Sequence, residues 1–331
     1  MKTTPFPNLN PTPTTASDRL RSEQDQPQLD AAKRLRTAGD RAIVLGGGAS
    51  TGNAWLIGVI AGLFDAGLDV TGAELTIGTS AGATAAAQIA GATPTELFAN
   101  ILDATPQQRT GSVGSGLGRS QATPVVNHLE RINKIIAAAS DVADMRRRLG
   151  AAALEMDAAS DGAWSAQWRT TVAARLPSQG WPERDVLITA VDARTGDPAV
   201  FDRDSGVGLA DAIAASCSSG LPYRIGNNRY IDGGYRSNAE NADLAAGYER
   251  VLVLSPFGGR SLQPLKWGTH LATRLDELRA GGSRVETIFP GSSSEHMFGA
   301  NGMDLSLRPP AARAGYEQGT ALAGQLADFW S

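Results

Sequence analysis

A single cysteine, Cys217, stands in 331 residues, so no internal disulfide can staple the chain. Histidine is nearly as scarce: His128, His270 and His296 are all there is, and no Cys/His cluster has the spacing of a zinc site. No metal or other cofactor is called for. No run of 18 apolar residues occurs, which argues against a membrane-spanning helix. Positive charge is also in short supply. Thirty Lys and Arg against 34 Asp and Glu leave a net charge of −4, which speaks against nucleic acid as a partner and against a general attraction to anionic membranes. What the chain has in abundance is glycine, 38 residues of it, and the informative question is where those glycines cluster. At 42% hydrophobic, a chain this long can bury a sizeable core, as one large α/β domain or as two.

Residues 1 to about 30 are rich in Pro, Thr, Gln, Asp and Ser and contain nothing that could offset the entropy of ordering them. Residues 1–38 therefore read as a disordered leader. Lys2 is followed by no apolar h-region, so this leader is not a signal peptide, and a cytoplasmic protein is the expectation. From residue 39 onwards, apolar strand candidates alternate with helical stretches. The strands are expected at Arg41–Leu45, Ala73–Ile77, Val186–Val191, Ala199–Phe201, Val251–Leu254 and Val285–Phe289. Such alternation implies a three-layer α/β/α sandwich around a central, mostly parallel sheet.

Three glycine clusters sit at strand ends. Gly46-Gly47-Gly48-Ala49-Ser50-Thr51-Gly52 follows the first strand and leads into a helix whose Trp55, Leu56, Val59, Ile60, Leu63 and Phe64 form an apolar stripe. A helix N-terminus at such a loop presents amides with no intrahelical partner, which suit a phosphate or the oxyanion of an acyl intermediate. It is also simply a tight connection. A Walker loop is excluded because Thr51-Gly52-Asn53 stands where Gly-Lys-Ser/Thr would be needed. A dinucleotide site fits less badly, with Gly46, Gly48 and Gly52 one residue too widely spaced and Asp69 near the ribose-binding position.

After the second strand comes Gly78-Thr79-Ser80-Ala81-Gly82, the form of a nucleophile elbow, in which a strained strand-to-helix turn lifts a serine hydroxyl out of the fold. By chance alone Gly-x-Ser-x-Gly should arise roughly 0.3 times in a chain this glycine-rich, so the motif needs company. The oxyanion reading of the first loop supplies it and uses both motifs at once. The third cluster, Asp232-Gly233-Gly234, ends the short apolar run Arg229–Ile231. Asp-Gly is a turn signal in its own right, and it also leaves a carboxylate open to approach.

In this order the three motifs resemble those of the patatin-like phospholipases, over roughly residues 40–255. The helix Asn53–Ala66, the run Ala210–Ser216 and the segment Asn241–Gly247 look like the family's flanking segments. The resemblance implies Ser80 as nucleophile, Asp232 as its base and an oxyanion hole from Gly46, Gly47, Gly48 and Ala49. Gly78, Ala81, Gly82, Gly233 and Gly234 would support the elbow and the base turn. It further implies an acyl lipid or small ester as substrate, cleaved as by a phospholipase A, lysophospholipase or esterase, with transient contact with a membrane or micelle surface. Two departures stand out. The family's loop usually carries a small residue, a basic residue and a glycine after its three glycines; here Ser50 and Thr51 fill that stretch without a positive charge. Ser216–Pro222 also lacks the family's more usual aromatic and proline pattern.

A Ser–Asp pair is chemically sufficient if the aspartate, a weak base near 3.9 in water, is desolvated. The competing arrangement is a Ser–Asp–His triad using His270 or His296, both of which follow Asp232 in the chain. Acyl transfer to an alcohol, amine or carrier thiol is a further alternative, disfavoured by Thr79 where such enzymes have a histidine. A non-catalytic scaffold is the last. The Gly/Ser-rich stretch 105–123 and the helical block after it, together residues 105–180, form a candidate lid or cap on a domain spanning 39–331. The triplet Arg146-Arg147-Arg148 within that block reads as a solvated helix face or as a contact for anionic headgroups. Asp202-Arg203-Asp204-Ser205-Gly206 begins like a calcium loop but stops short, and reads as a turn. Nothing in the sequence sets an oligomeric state.

Overall fold

The computed structural model describes residues 39–104, 122–160 and 162–331, together with Ala31. Apart from Ala31, which is buried against the core around the helix Leu271–Ala280, the expected leader lies outside the described residues, as do residues 105–121 and 161 of the expected lid. Eight strands form one sheet: β1 (Gly39–Leu45), β2 (Leu75–Gly78), β3 (Asp185–Asp192), β4 (Pro198–Phe201), β5 (Tyr223–Ile225), β6 (Asn228–Asp232), β7 (Tyr248–Leu254) and β8 (Arg284–Ile288). Their order is β5-β6-β3-β2-β1-β7-β8, with β4 paired to β3. Strands β3, β2, β1, β7 and β8 run parallel, while β4, β5 and β6 form an antiparallel edge.

The helices are α1 (Ala49–Asp65), α2 (Ala81–Gly91), α3 (Pro94–Asp103), α4 (Ala122–Ala138), α5 (Val142–Ala158), α6 (Trp164–Ala173), α7 (Leu209–Ser216), α8 (Leu271–Ala280) and α9 (Arg308–Trp330). Helix α3 opens on the capping box that Thr93 and Glu96 foreshadow, each side chain bonded to the other's backbone amide. The central strands are buried on both faces, as a parallel sheet between two helical layers must be. Ile43 and Leu45 of β1 join a core with α1, α2, α7 and α9, whereas Ala42 and Val44 face the opposite layer around α8. This is the three-layer α/β/α sandwich.

Register sets the height of the chemistry. Leu45 lies level with Gly78 and with Leu254, so the loops after β1, β2 and β7 leave the sheet at one edge. Gly78 is level with Ile188, and Ala190, two residues further on, pairs with Asp232. Ser80 is likewise two residues beyond Gly78, so the pairing alone brings Ser80 and Asp232 to the same level.

Helix α1 is buried nearly end to end because α9 closes over it. The two backbones meet along a glycine seam: Gly58 and Gly62 of α1 face Gly315 and Gly319 of α9. A Cβ on Gly319 would stand 3.0 Å from the Leu63 amide nitrogen and overlap the Val59 carbonyl oxygen. Gly324, one turn further along α9, has nothing within 4 Å of where its Cβ would be. The same substitution should therefore have opposite signs at the two positions. Gly324→Ala should raise the unfolding free energy by about 0.5–1 kcal/mol through helix propensity. Gly319→Ala should lower it by about 1–3 kcal/mol through overpacking. Urea denaturation of the two variants beside the wild type reads both.

Candidate active site

At the end of β2 the chain turns through Ser80 with φ 52° and ψ −112°, a strained conformation for a residue with a side chain. The turn is tight enough that a Cβ at Gly78 would lie 2.7 Å from Ala83 Cα, and one at Gly82 would overlap the Leu45 carbonyl. Strand-to-helix packing thus demands both glycines. The Ser80 amide donates to Ser216 Oγ at 2.9 Å, which holds the elbow from the α7 side.

The Ser80 hydroxyl donates to Asp232 Oδ2 at 2.9 Å. Asp232 is only 7% exposed, and its other oxygen accepts the Gly234 amide at 2.8 Å. Burial pushes its pKa up to about 6, against the opposing pull of the Gly234 and Ser80 hydrogen bonds. Gly233 lies flat against Thr189, where a side chain would collide with the β3 backbone. A fully buried residue binds these parts together. Asn241, in the left-handed conformation at φ 57°, donates through Nδ2 to Thr79 Oγ1 (3.0 Å), Thr189 Oγ1 (3.3 Å) and the Gly233 carbonyl (2.9 Å). Sequence reasoning places Asn241 only at the head of a flanking segment; its left-handed turn is its one local signature.

The glycine loop needs a correction. The Gly46 amide donates to the Leu254 carbonyl (3.0 Å) and the Gly47 amide to the Ala239 carbonyl (2.8 Å). Both are used up in fastening the loop to β7 and to the segment before Asn241, so Gly46 and Gly47 are not free oxyanion donors. Gly47 still borders Ser80, since its Cβ would lie 3.7 Å from Ser80 Cβ. The amides of Gly48 and Ala49 have no acceptor among the described residues, nor does that of Ala81, which follows Ser80. Gly48 must be glycine because a side chain would overlap Pro256 and Gly52. Ala49 holds a left-handed φ of 56°.

None of the three histidines is bonded to Ser80 or Asp232. His270 Nε2 meets the Gln263 carbonyl (2.7 Å), His296 Nδ1 the Ser293 carbonyl (3.0 Å), and His128 Nδ1 the Arg131 guanidinium (3.3 Å). Cys217 Sγ touches the Ser80 carbonyl at 3.2 Å, and burial pushes the thiol up to about 12, so it stays protonated.

Of the Arg146–Arg148 triplet, Arg147 and Arg148 are exposed, as a solvated helix face has them, and Arg146 is half-buried. Arg146 turns inward to the Gly196 and Arg236 carbonyls, while Arg147 and Arg148 pair with Asp144. Helix α5 packs Met145, Leu149 and Ala153 against Val191 and Ile231 of the sheet. Asp202 Oδ1 accepts the Ser205 hydroxyl (2.7 Å) and the Asp204 amide (3.1 Å), closing that loop on itself as a turn. Among the described residues no helix is long and apolar enough to cross a membrane.

The pKa of Asp232 has two readable consequences of opposite sign. A carboxylate can take a serine proton only when ionised, so with Asp232 in that role kcat/KM on a soluble ester should rise with pH through about 6 and level off above. Glu240, buried beside Ser255 and pushed up to about 7, also titrates nearby, and Glu240→Gln should leave that midpoint in place. For folding, the raised pKa means that the native state holds this proton more tightly than the unfolded chain. Stability is then fully present below about 3.8 and declines as pH rises to about 6. Asp232→Asn should therefore be inactive, yet at pH 8 about 2 kcal/mol more stable relative to wild type than at pH 4. Thermal melts at the two pH values check this.

No curated protein sequence matches the chain. Among solved structures, VipD from Legionella pneumophila aligns over 88% of this chain and 67% of its own, with 12% identity and a TM-score of 0.39. The type III effector protein ExoU aligns over 86% of this chain at 14% identity and a TM-score of 0.35, and the aligned part is 53% of ExoU's own chain. The model of the patatin-like phospholipases matches residues 43–244, which runs from β1 past Asn241 and takes in the glycine loop, the elbow and Asp232. The chain belongs to the patatin-like phospholipase family.

Proposed function

We propose that this chain is a serine acyl hydrolase that cleaves carboxylic esters of acyl lipids with Ser80 and Asp232 as a dyad. The observation that carries the reading is the 2.9 Å contact between the Ser80 hydroxyl and a carboxylate buried enough to act as a base near neutral pH. Ser80 Oγ attacks the acyl carbonyl carbon and its proton passes to Asp232 Oδ2. The carbonyl oxygen becomes an oxyanion, and the Gly48 and Ala49 amides, with that of Ala81, are the donors left free to receive it. Collapse breaks the ester C–O bond, and the leaving alcohol takes the proton from Asp232. Water then attacks the acyl-Ser80 ester, giving its proton to Asp232, and the second collapse frees the fatty acid and restores the serine.

A fluorophosphonate probe should label the wild type, and Ser80→Ala should abolish labelling and cut turnover of p-nitrophenyl octanoate by at least about 10³-fold. Replacing His128, His270 and His296 together should cost little. If Ser80→Ala keeps its turnover, or a single His270 or His296 variant loses it, the dyad is wrong. Each methylene buried in an acyl channel contributes about 0.8 kcal/mol, so kcat/KM should rise from acetyl to octanoyl esters. Free fatty acid as the product separates hydrolysis from acyl transfer.

Contact with a lipid surface finds support in where the apolar surface lies. Leu262, Leu265, Met303 and Leu305 are 54%, 79%, 59% and 56% exposed and lie on the loops after β7 and β8, at the edge of the sheet that carries Ser80. The first loop is tied to the Ser237 carbonyl by Gln263, and Met303 follows Gly302, whose carbonyl accepts the Thr51 amide. Leu262→Ser with Leu265→Ser should lower hydrolysis of phosphatidylcholine vesicles several-fold and leave a short soluble ester unaffected. Equal losses on both substrates would show that these residues do not act at an interface.

A further inference from the structure

Arg308 opens α9, far beyond the segment that carries the family signature. Its guanidinium points to the glycine loop. Nη1 donates to the Ser50 carbonyl (2.7 Å) and Ser50 Oγ (3.0 Å), and Nη2 donates to Asn53 Oδ1 (3.2 Å). Among the described residues it has no carboxylate partner. Burial, and secondarily the neighbouring Arg175, hold its pKa down to about 10, so it remains charged at neutral pH. A half-buried cation without a carboxylate partner is costly, and one that is retained on neutral acceptors calls for a use.

The contacts indicate that use. Ser50 follows Ala49, whose left-handed backbone needs outside support to persist. Asn53 reaches the elbow helix, its Nδ2 donating to Gln88 Oε1 (2.9 Å) and to the Ala81 carbonyl (3.5 Å). Arg308 therefore bridges the free amides of the loop to the helix that presents Ser80. Gly302, six residues earlier, accepts the Thr51 amide (3.0 Å) and leaves no room beside Ala49, since a Cβ there would stand 3.0 Å from Ala49 Cβ. These two contacts hold the first turn of α1 from behind.

Resting on the hydrolase reading above, we propose that Arg308 is the positioning residue of the oxyanion hole. From the far end of the chain it supplies the positive charge that Ser50-Thr51 lacks, and it holds the Gly48 and Ala49 amides at a set distance from Ser80. Its effect is felt in the transition state, where charge develops on the acyl oxygen, and not in the affinity for the neutral ester.

The test uses full-length protein and p-nitrophenyl octanoate. Arg308→Gln should lower kcat by about 10- to 100-fold while KM stays within about two-fold and the thermal midpoint within about 3 °C. Affinity for a trifluoromethyl ketone analogue should fall in proportion to kcat/KM. Arg308→Lys should recover part of kcat, and Arg308→Gly should regain activity with added guanidinium ion. If Arg308→Gln does not fold, the lysine variant and the guanidinium rescue carry the same comparison. A kcat within two-fold of wild type overturns the proposal. So does a loss confined to KM, or a kcat loss that tracks a lowered melting temperature and is not rescued. A wild type that cleaves no ester sinks the hydrolase reading and this proposal with it, whereas an active wild type matched by Arg308→Gln sinks the proposal alone.

Discussion

The constraint on which the site depends is the dryness of one carboxylate. In water an aspartate is too weak a base to take a serine proton at neutral pH, and only burial brings Asp232 to about 6. That burial has a folding cost, so the groups around it are arranged to leave the carboxylate little else to interact with. Gly233 presses against Thr189 without a side chain, and Asn241 satisfies three buried oxygens that would otherwise call for water. The strain at Ser80 belongs to the same arrangement. A serine at φ 52° persists because strand, helix and the Ser216 hydroxyl all hold it there.

The parallel sheet serves this chemistry by alignment. Leu45, Gly78 and Leu254 lie in register, so three separate loops begin at the same level and converge without long connections. The Gly46 and Gly47 amides are bonded to β7 and to Ala239, which stiffens the loop and leaves only its last amides free. A loop with every amide free would offer more donors but would not hold them in place.

What was legible in the sequence is what is local. Strand periodicity, the Gly-x-Ser-x-Gly spacing, the capping box at Thr93 and the Asp-Gly-Gly turn each declare themselves within a few residues. What was illegible joins distant parts of the chain. Ser216 meets Ser80 from 136 residues away, Asn241 meets Thr79 from 162, and Arg308 meets Ser50 from 258. The mistaken reading of Gly46 and Gly47 has the same origin, since their amides look free until Leu254 and Ala239 are folded beside them. Within the arginine triplet only Arg146 departs from the solvated face, its donors taken up by two distant backbone carbonyls.

The glycine seam between α1 and α9 also bears on the timing of assembly. Helix α1 follows directly from the glycine loop, and its outer face is covered by α9, a 23-residue helix whose Arg308 lies 258 residues beyond Ser50. During synthesis the elbow, the loop and Asp232 all emerge well before the element that buries α1 and brings Arg308 to Ser50. Closing so long a loop is the slowest kind of contact for a chain to make. A nascent chain therefore presents Ser80 before α9 has closed over α1. The cover over α1 and the Arg308–Ser50 contact are thus late additions to a site whose other parts are already made.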